Sequence, residues 1–384
     1  MANPHRAWAE VDLDAFLGNL AVVRRRARGA EVWPVLKANA YGHGAGPVAR
    51  TCATAGVRRI GVADGSEALA LREAGVTTPL LVLGAVIDSE VPDLLGRDVE
   101  VGLHSEARAR RLGELARRAG RRLGVHLEVD VGMGRLGVRP EAVPRVVAAV
   151  AEEPALELRA LMAHFPSSAG WGREETRRQH AAFAAAVREA EAVLGRRVPT
   201  HCANSASLFT DMEALGDAVR PGISLFGILP RLGGAESGLR PILSLRTQVV
   251  FLKDVPAGTP VGYDGRWTAP RPTRIATLPI GYNDGIPWRL GVSSGAEVLV
   301  RGVRCPVVGA ISMDYVTVDV GHVPGVGVGD VVTLVGRDGE DEIRVLDLAR
   351  AAGTIPYELT CRLGARVRRV YKGGAVAVPA AAPA

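Results

Sequence analysis

Lysine is almost missing from this 384-residue sequence: of its 47 basic residues, only Lys37, Lys253 and Lys372 are lysines. Where arginine is used wherever a positive charge suffices, a surviving lysine points to what an amine can do and a guanidinium cannot. An amine loses its proton and attacks a carbonyl. Aromatic residues are also few, with six Phe, six Tyr and five Trp, which leaves little material for stacking nucleic-acid bases. The net charge of +6 does not reverse that, because the arginines are interleaved with Asp and Glu instead of forming a basic stripe. Cys52, Cys202, Cys305 and Cys361 stand far apart with no C-x-x-C pair, which argues against a disulfide framework and structural zinc. No stretch approaches about 18 uncharged apolar residues, and the first ten residues lack the apolar core of a signal peptide. The reading is a cytoplasmic protein with neither a nucleic-acid nor a membrane partner.

What is present is a large apolar fraction, 47%, and 46 glycines, enough for a sizeable core and many tight turns. From residue 30 to 227, short apolar runs alternate with longer helical patterns. The runs at 32–37, 59–63, 80–84, 100–104, 124–130, 158–164, 198–203 and 218–226 read as buried parallel strands. Segments 66–75, 105–120 and 174–195 read as helices between them. Eight such units predict an α/β fold that begins with a (β/α)8 TIM barrel. After residue 240 the pattern becomes β-branched runs punctuated by Gly and Pro, with helical patterns nearly absent, so a mostly β C-terminal domain is expected. The expected division is 1–238 for the barrel, whose first residues can pack with the β domain, 239–372 for the β domain and 373–384 for a mobile tail. Residues 233–238, GGAESG, read as the linker.

In a barrel the chemistry sits at the C-terminal ends of the strands. Lys37 ends the first run, behind Val32, Trp33, Pro34, Val35 and Leu36, whose apolar bulk would desolvate the ammonium and favour a nucleophilic amine. Arg135 follows the fifth run in a glycine-rich loop and offers a fork for a carboxylate. His164 ends the sixth run, where a buried structural histidine is the commoner alternative. Asn204 and Ser205 end the seventh, and Arg220, Gly222 and Ile223 lie in or after the eighth. The loops after strands seven and eight are the usual barrel phosphate site, though turn chemistry would use the same residues. An amine, a guanidinium, an imidazole and a phosphate cradle around one mouth fit a phosphorylated aldehyde bound as a Schiff base to Lys37. Pyridoxal phosphate meets that description. A divalent metal fits less well, since the H-x-H pair common after the first strand of metal-dependent barrel hydrolases is replaced by a lone His43.

At this point the chain resembles the bacterial alanine racemases, which are fold-type III pyridoxal phosphate enzymes, over nearly its whole length. VLKANAYGHG (35–44) resembles the cofactor-lysine motif, which implies Lys37 as the Schiff-base lysine and Tyr41 on the phosphate. DVGMGRLG (130–137) is similar to the loop whose Arg135 meets the substrate carboxylate. ANSAS (203–207) and VRPGISLFG (219–227) resemble the phosphate and ring-nitrogen segments, implying Asn204, Ser205, Gly222 and Ile223 near phosphate and Arg220 at the pyridine nitrogen. VGYDGRW (261–267) resembles the segment of a second catalytic base, Tyr263. GYNDGIP (281–287), SMDYVTVD (312–319) and TIPYE (354–358) imply Tyr282 and Met313 near substrate and Tyr357 on the phosphate.

The resemblance implies two bases on opposite faces of the substrate, Lys37 and Tyr263, with the surroundings of His164 lowering the phenol's pKa. It also implies a homodimer in which Tyr263 completes the partner's site, and a role in D-alanine supply for peptidoglycan. Several positions depart from the family pattern. Glu128 stands where a carbamate-bearing lysine is common, and its reach to Arg135 is then an open question. Val131, Phe226, Asp264 and the segment 165–172 also differ. A serine or broader amino-acid racemase and a fold-type III decarboxylase are the neighbouring enzyme readings. A non-catalytic pyridoxal-phosphate-binding barrel would not need residues 240–372.

Overall fold

The computed structural model describes residues 5–166, 173–210, 216–229, 237–291 and 295–374. Most of the expected linker and all but two residues of the expected tail lie outside that set. After an opening strand β1 (Ala7–Asp12) come eight short parallel strands. They are β2 (Glu31–Val32), β3 (Ile60–Val62), β4 (Leu80–Val82), β5 (Val99–Leu103), β6 (Leu123–Glu128), β7 (Leu156–Met162), β8 (Thr200–Asn204) and β9 (Ala218–Arg220). From β3 to β9 each pairs with its neighbour in sequence, and β9 also pairs with β2. The remaining seam closes at a parallel bridge between Val35 and Gly61, where Leu36 N–H donates to Gly61 O at 2.8 Å and Gly61 N–H to Pro34 O at 2.9 Å. All eight expected runs are present, and the result is a (β/α)8 barrel. Helices Gly65–Glu73, Glu106–Arg118 and Arg173–Leu194 occupy the expected segments. Two of them have side-chain N-caps, Asp64 accepting from Glu67 N–H at 3.0 Å and Ser105 from Arg108 N–H at 3.1 Å.

The second unit contains β10 (Leu243–Gln248), β11 (Phe251–Val255), β12 (Pro260–Val261), β13 (Trp267–Thr268), β14 (Thr273–Leu278) and β15 (Glu297–Val300). It continues with β16 (Val303–Val308), β17 (Val316–Asp319), β18 (Val331–Asp338), β19 (Asp341–Ile343) and β20 (Arg368–Lys372). One sheet runs β11-β14-β17-β16-β15-β18-β10-β1-β20, so β1 lies between β10 and β20 in the second domain's sheet. Apolar residues of both units merge into one continuous core.

Three expectations need correction. The run 218–226 keeps strand geometry only to Arg220, because Pro221 has no N–H to donate to a ladder and Gly222 turns the chain into a 3-10 turn, Ile223–Phe226. The β domain does contain helices, Val345–Ala352 and Pro356–Cys361. The first starts where Arg344 N–H donates to the Asp347 carboxylate at 2.9 Å and ends on Gly353 at φ +66°. Lys37 does not end a strand. It opens a turn in which Ala38, Asn39, Ala40 and Tyr41 all have φ between +52° and +54°, a full turn of left-handed helix built without glycine.

L-residues pay about 1–2 kcal/mol each for that conformation, so the surroundings must hold it. Ala38 N–H donates to Glu67 Oε1 at 2.6 Å, and Ala45 N–H to Asn39 Oδ1 at 2.7 Å. From the second domain, Arg369 Nε donates to Gly42 O at 3.1 Å and Tyr371 OH to His43 O at 3.1 Å. Gly42, at φ +83°, packs so closely that a side-chain carbon there would overlap the Thr360 carbonyl. Gly42→Ala is therefore expected to lower stability by about 2 kcal/mol or more. Gly29→Ala has a similar φ of +95° but open space around it, so it should cost only about 1 kcal/mol. Urea midpoints for the two variants check both values.

Candidate active site

The barrel mouth gathers most of the residues that the sequence singles out. Lys37 stands at the head of the strained turn, and burial together with the Arg135 charge lowers its pKa from the ordinary lysine value, partly opposed by Glu67 and Cys361. The shift is toward the free amine, the form a nucleophile uses. Tyr41, four residues on, is buried between Phe226, with ring centres 5.3 Å apart, and Tyr357, at 6.1 Å. Burial raises the pKa of both phenols, so each remains a neutral O–H donor.

Facing Tyr41 is the turn after β9. A side-chain carbon on Gly222 would overlap the Tyr41 hydroxyl, so glycine is what lets the two segments meet. Ser205 Oγ, buried beside them, accepts from Gly222 N–H at 2.9 Å and Ser224 N–H at 3.2 Å, and lies 2.9 Å from Ser224 Oγ. Ile223 is buried between these two donors. Backbone N–H groups, two serine hydroxyls and two phenols make a cradle suited to a phosphate dianion. Asn204 shapes the cradle from behind: its Oδ1 accepts from Ser207 N–H at 3.1 Å and its Nδ2 donates to Phe165 O at 3.2 Å, so both ends are engaged.

Across the mouth, Arg220 is buried at the end of β9. Its Nη2 donates to Ala163 O at 2.7 Å, while Nη1 donates to His201 Nδ1 at 2.6 Å and to the His201 carbonyl. His164 is pushed down to about 3 by burial and by the charges of Arg220, Arg135 and Lys37, so its imidazole is neutral. The positive potential at this side comes from the guanidinia. Arg135 is exposed on its loop and has no ion-pair partner among the described residues. The loop is shaped by Asp130, whose carboxylate accepts from Gly132 N–H at 3.0 Å, Met133 N–H at 2.8 Å and Gly134 N–H at 3.1 Å. Glu128 does not pair with Arg135. It is buried and faces His104 Nδ1 at 3.2 Å.

Tyr263, Tyr282 and Met313 stand apart from this cluster, on the second domain. Tyr263, next to the β12–β13 ribbon, is 70% exposed and Met313 54%. Tyr282 lines an open cavity of about 530 Å³ with Gly285, Ile286, Pro287, Trp288 and Arg362. Asn283 N–H donates to Met313 O at 3.2 Å, so the Tyr282 and Met313 segments are joined. Among the described residues no hydrogen bond or ring contact links Tyr263 to the barrel mouth. Sequence reasoning missed Glu67, which also accepts from Ala63 N–H at 2.8 Å and so ties β3 to the lysine turn. It reads as an ordinary first-turn acid of the helix Gly65–Glu73.

Comparison with known proteins decides the family. Residues 11–230 match the alanine racemase N-terminal domain and residues 242–371 its C-terminal domain. The chain belongs to the alanine racemase family. An alanine racemase of Symbiobacterium thermophilum is 41% identical over 371 residues, 95% of this chain and 97% of that one. The crystal structure of alanine racemase from D-cycloserine-producing Streptomyces lavendulae superposes with a TM-score of 0.91 at 35% identity, covering 97% of this chain and 98% of that chain. Alanine racemase from Bartonella henselae, solved with covalently bound pyridoxal phosphate, gives 0.84 at 28% identity, covering 96% and 100%.

In this alanine racemase family member, the Lys37 amine is tuned by a cation beside it, and the sign of that effect is testable. A neighbouring positive charge disfavours the ammonium, so Arg135→Gln should raise the Lys37 pKa and slow its reaction with an amine-directed reagent at neutral pH. The pH dependence of Lys37 labelling, followed by peptide mass spectrometry in the cofactor-free protein, reads the shift. Faster labelling in the variant would contradict it.

Proposed function

We propose that the protein interconverts L-alanine and D-alanine with pyridoxal phosphate as cofactor, and that two proton-transfer groups, Lys37 and Tyr263, act on opposite faces of Cα. The observation that carries this reading is a lone, desolvated lysine amine beside a built dianion cradle, with a buried guanidinium opposite. When bound, pyridoxal phosphate supplies an aldehyde that condenses with an amine and a ring that draws electron density from Cα. The protein's residues do the rest. Ser205, Ser224, the N–H groups of Gly222 and Ile223, Tyr41 and Tyr357 would hold the phosphate as neutral donors. Arg220 would face the ring nitrogen with an N–H that stays on the guanidinium. That choice of partner keeps the ring a moderate electron sink and disfavours side reactions. Arg135, unpaired and exposed, would fork onto the substrate carboxylate.

Racemisation removes the Cα proton from one face and returns one on the other. The Lys37 amine accepts or delivers it on one face. A phenol serves the other, and an ordinary tyrosine pKa near 10 needs positive surroundings to fall toward neutrality. Arg220 and Arg135 provide that potential around His164. Three features support a role for Tyr263 in a second copy of the chain: it is exposed, carried on the other domain and close in sequence to β12 and β13, which among the described residues pair only with each other. The functional unit we propose is a homodimer in which Tyr263 of the partner subunit completes each site, and Tyr282 and Met313 bound the substrate. We read the biological role as cytoplasmic D-alanine supply for peptidoglycan.

Incubation with L-alanine in D2O should give Cα deuteration accompanied by inversion, and L-serine should react more slowly. Exchange with retention only, or serine preferred to alanine, would overturn the reading. Subunit sharing has its own test. Lys37→Ala and Tyr263→Phe should each be nearly inactive alone. Mixed and reassembled in equal amounts, they should recover about a quarter of wild-type activity, because half of the dimers then hold one intact site of two. No recovery would place both residues in one subunit's site.

A further inference from the structure

The barrel interior holds polar groups that the proposed reaction does not touch. His126 on β6 and His201 on β8 are completely buried, and burial holds both below the ordinary imidazole pKa. They stand in file. His201 Nδ1 lies 2.6 Å from Arg220 Nη1, His201 Nε2 lies 2.8 Å from His126 Nδ1, and His126 Nε2 lies 2.8 Å from Glu100 Oε2. Glu100 Oε1 then takes Arg59 Nη2 at 2.9 Å. The Trp33 ring covers the file, centred 4.8 Å from His201, with the Arg59 guanidinium 4.5 Å above it. Arg59 precedes β3 and Glu100 is the second residue of β5, while Arg220 is the last of β9. The file therefore climbs from the barrel floor to its mouth.

The ends of the file dictate every proton in it. A guanidinium only donates, so His201 Nδ1 accepts and its proton sits on Nε2. That N–H donates to His126 Nδ1, which places the His126 proton on Nε2, donated in turn to Glu100. Glu100 is left as the terminal carboxylate. Burial opposes its charge, but the His126 hydrogen bond and the Arg59 and Arg159 charges hold it below the usual carboxylate range. A second proton on either imidazole would set N–H against N–H. The charged groups around the pair are Arg59, Arg159, Glu100 and Arg220, with Glu128 acting in turn on Arg220.

We propose that Glu100, His126 and His201 are positioning residues: a one-directional chain of hydrogen bonds that anchors Arg220 from the barrel floor and fixes the guanidinium face offered to the cofactor ring. The role in turnover rests on the function proposed above, but the chain itself does not. Its direction is read by long-range proton–nitrogen correlation of the imidazoles in cofactor-free, full-length protein labelled with 15N-histidine, assigned with His126→Gln and His201→Gln. Both imidazoles should be neutral Nε2–H tautomers that do not titrate between about pH 6 and 9. An Nδ1–H tautomer or an imidazolium at either position in the wild type overturns the chain.

In the loaded enzyme, Glu100→Leu removes the terminal acceptor and should lower kcat about tenfold or more while leaving KM for alanine within about twofold. Glu100→Gln keeps an acceptor oxygen and should retain the tautomers and recover most of that loss. Glu100→Leu with wild-type kcat overturns the positioning role. Native tautomers in a protein that does not racemise alanine support the chain and count against the function instead.

Discussion

A left-handed turn of four non-glycine residues sets the position of Lys37, and much of the molecule holds that turn. Ala38 to Tyr41 would each prefer another backbone conformation. The barrel constrains the turn from one side through Glu67 and the Val35–Gly61 closure. The second domain constrains it from the other, through Arg369, Tyr371 and the close approach of Thr360 to Gly42. The β domain thus does more than carry Tyr263. Its last strand and last helix lock the loop on which Lys37 sits, which is why the two units share a core and why β1 and β20 pair side by side. A barrel alone would lack the contacts that hold the turn between Lys37 and Tyr41 from this side.

The same arrangement explains the electrostatics of the mouth. Lys37, Arg135 and Arg220 converge there, and the carboxylates of the barrel are engaged with other groups. Glu67 accepts backbone N–H groups, Glu128 faces His104, and Glu100 terminates the file of imidazoles. Excess positive charge is costly in an empty site. It becomes favourable when a phosphate dianion and a carboxylate arrive, so the energy that binds ligand is already present as unneutralised charge. Neutral donors in the cradle fit the same logic. Tyr41 and Tyr357 hold their protons because burial disfavours phenolate, and so they meet a dianion without repulsion.

The barrel could be read from the sequence, and Lys37 singled out in it, because both steps depend on local patterns. Buried parallel strands read as continuous apolar runs, and a lysine in an arginine-dominated chain stands out. What could not be read depends on tertiary pressure. No propensity predicts that KANAY turns left-handed, since each residue would otherwise choose another basin. The strand that ended early at Arg220 did so at a Pro-Gly pair already visible in the sequence, overridden by the apolar Ile223–Phe226 that follows. The helices Val345–Ala352 and Pro356–Cys361 were hidden by their shortness amid β-branched neighbours. His126 and His201 did leave a trace, as polar residues at inward positions of apolar runs, but only the fold could show that they touch.

Glu128 shows how a departure in sequence is resolved by geometry. It lies at the end of β6, with Arg135 on the following loop and Arg220 at the end of β9. The side chain turns to His104 instead, and its charge is felt at Arg220. Arg135 is left to be positioned by backbone alone, through the Asp130 carboxylate that gathers three N–H groups at the loop's base. A guanidinium without a resident anion loses no ion pair when substrate arrives, so its full fork is available to the incoming carboxylate. Holding the loop through Asp130 and the floor through Glu100 separates two tasks that one shared carboxylate would couple. On the proposed function, substrate recognition at Arg135 and ring contact at Arg220 would then be tuned independently.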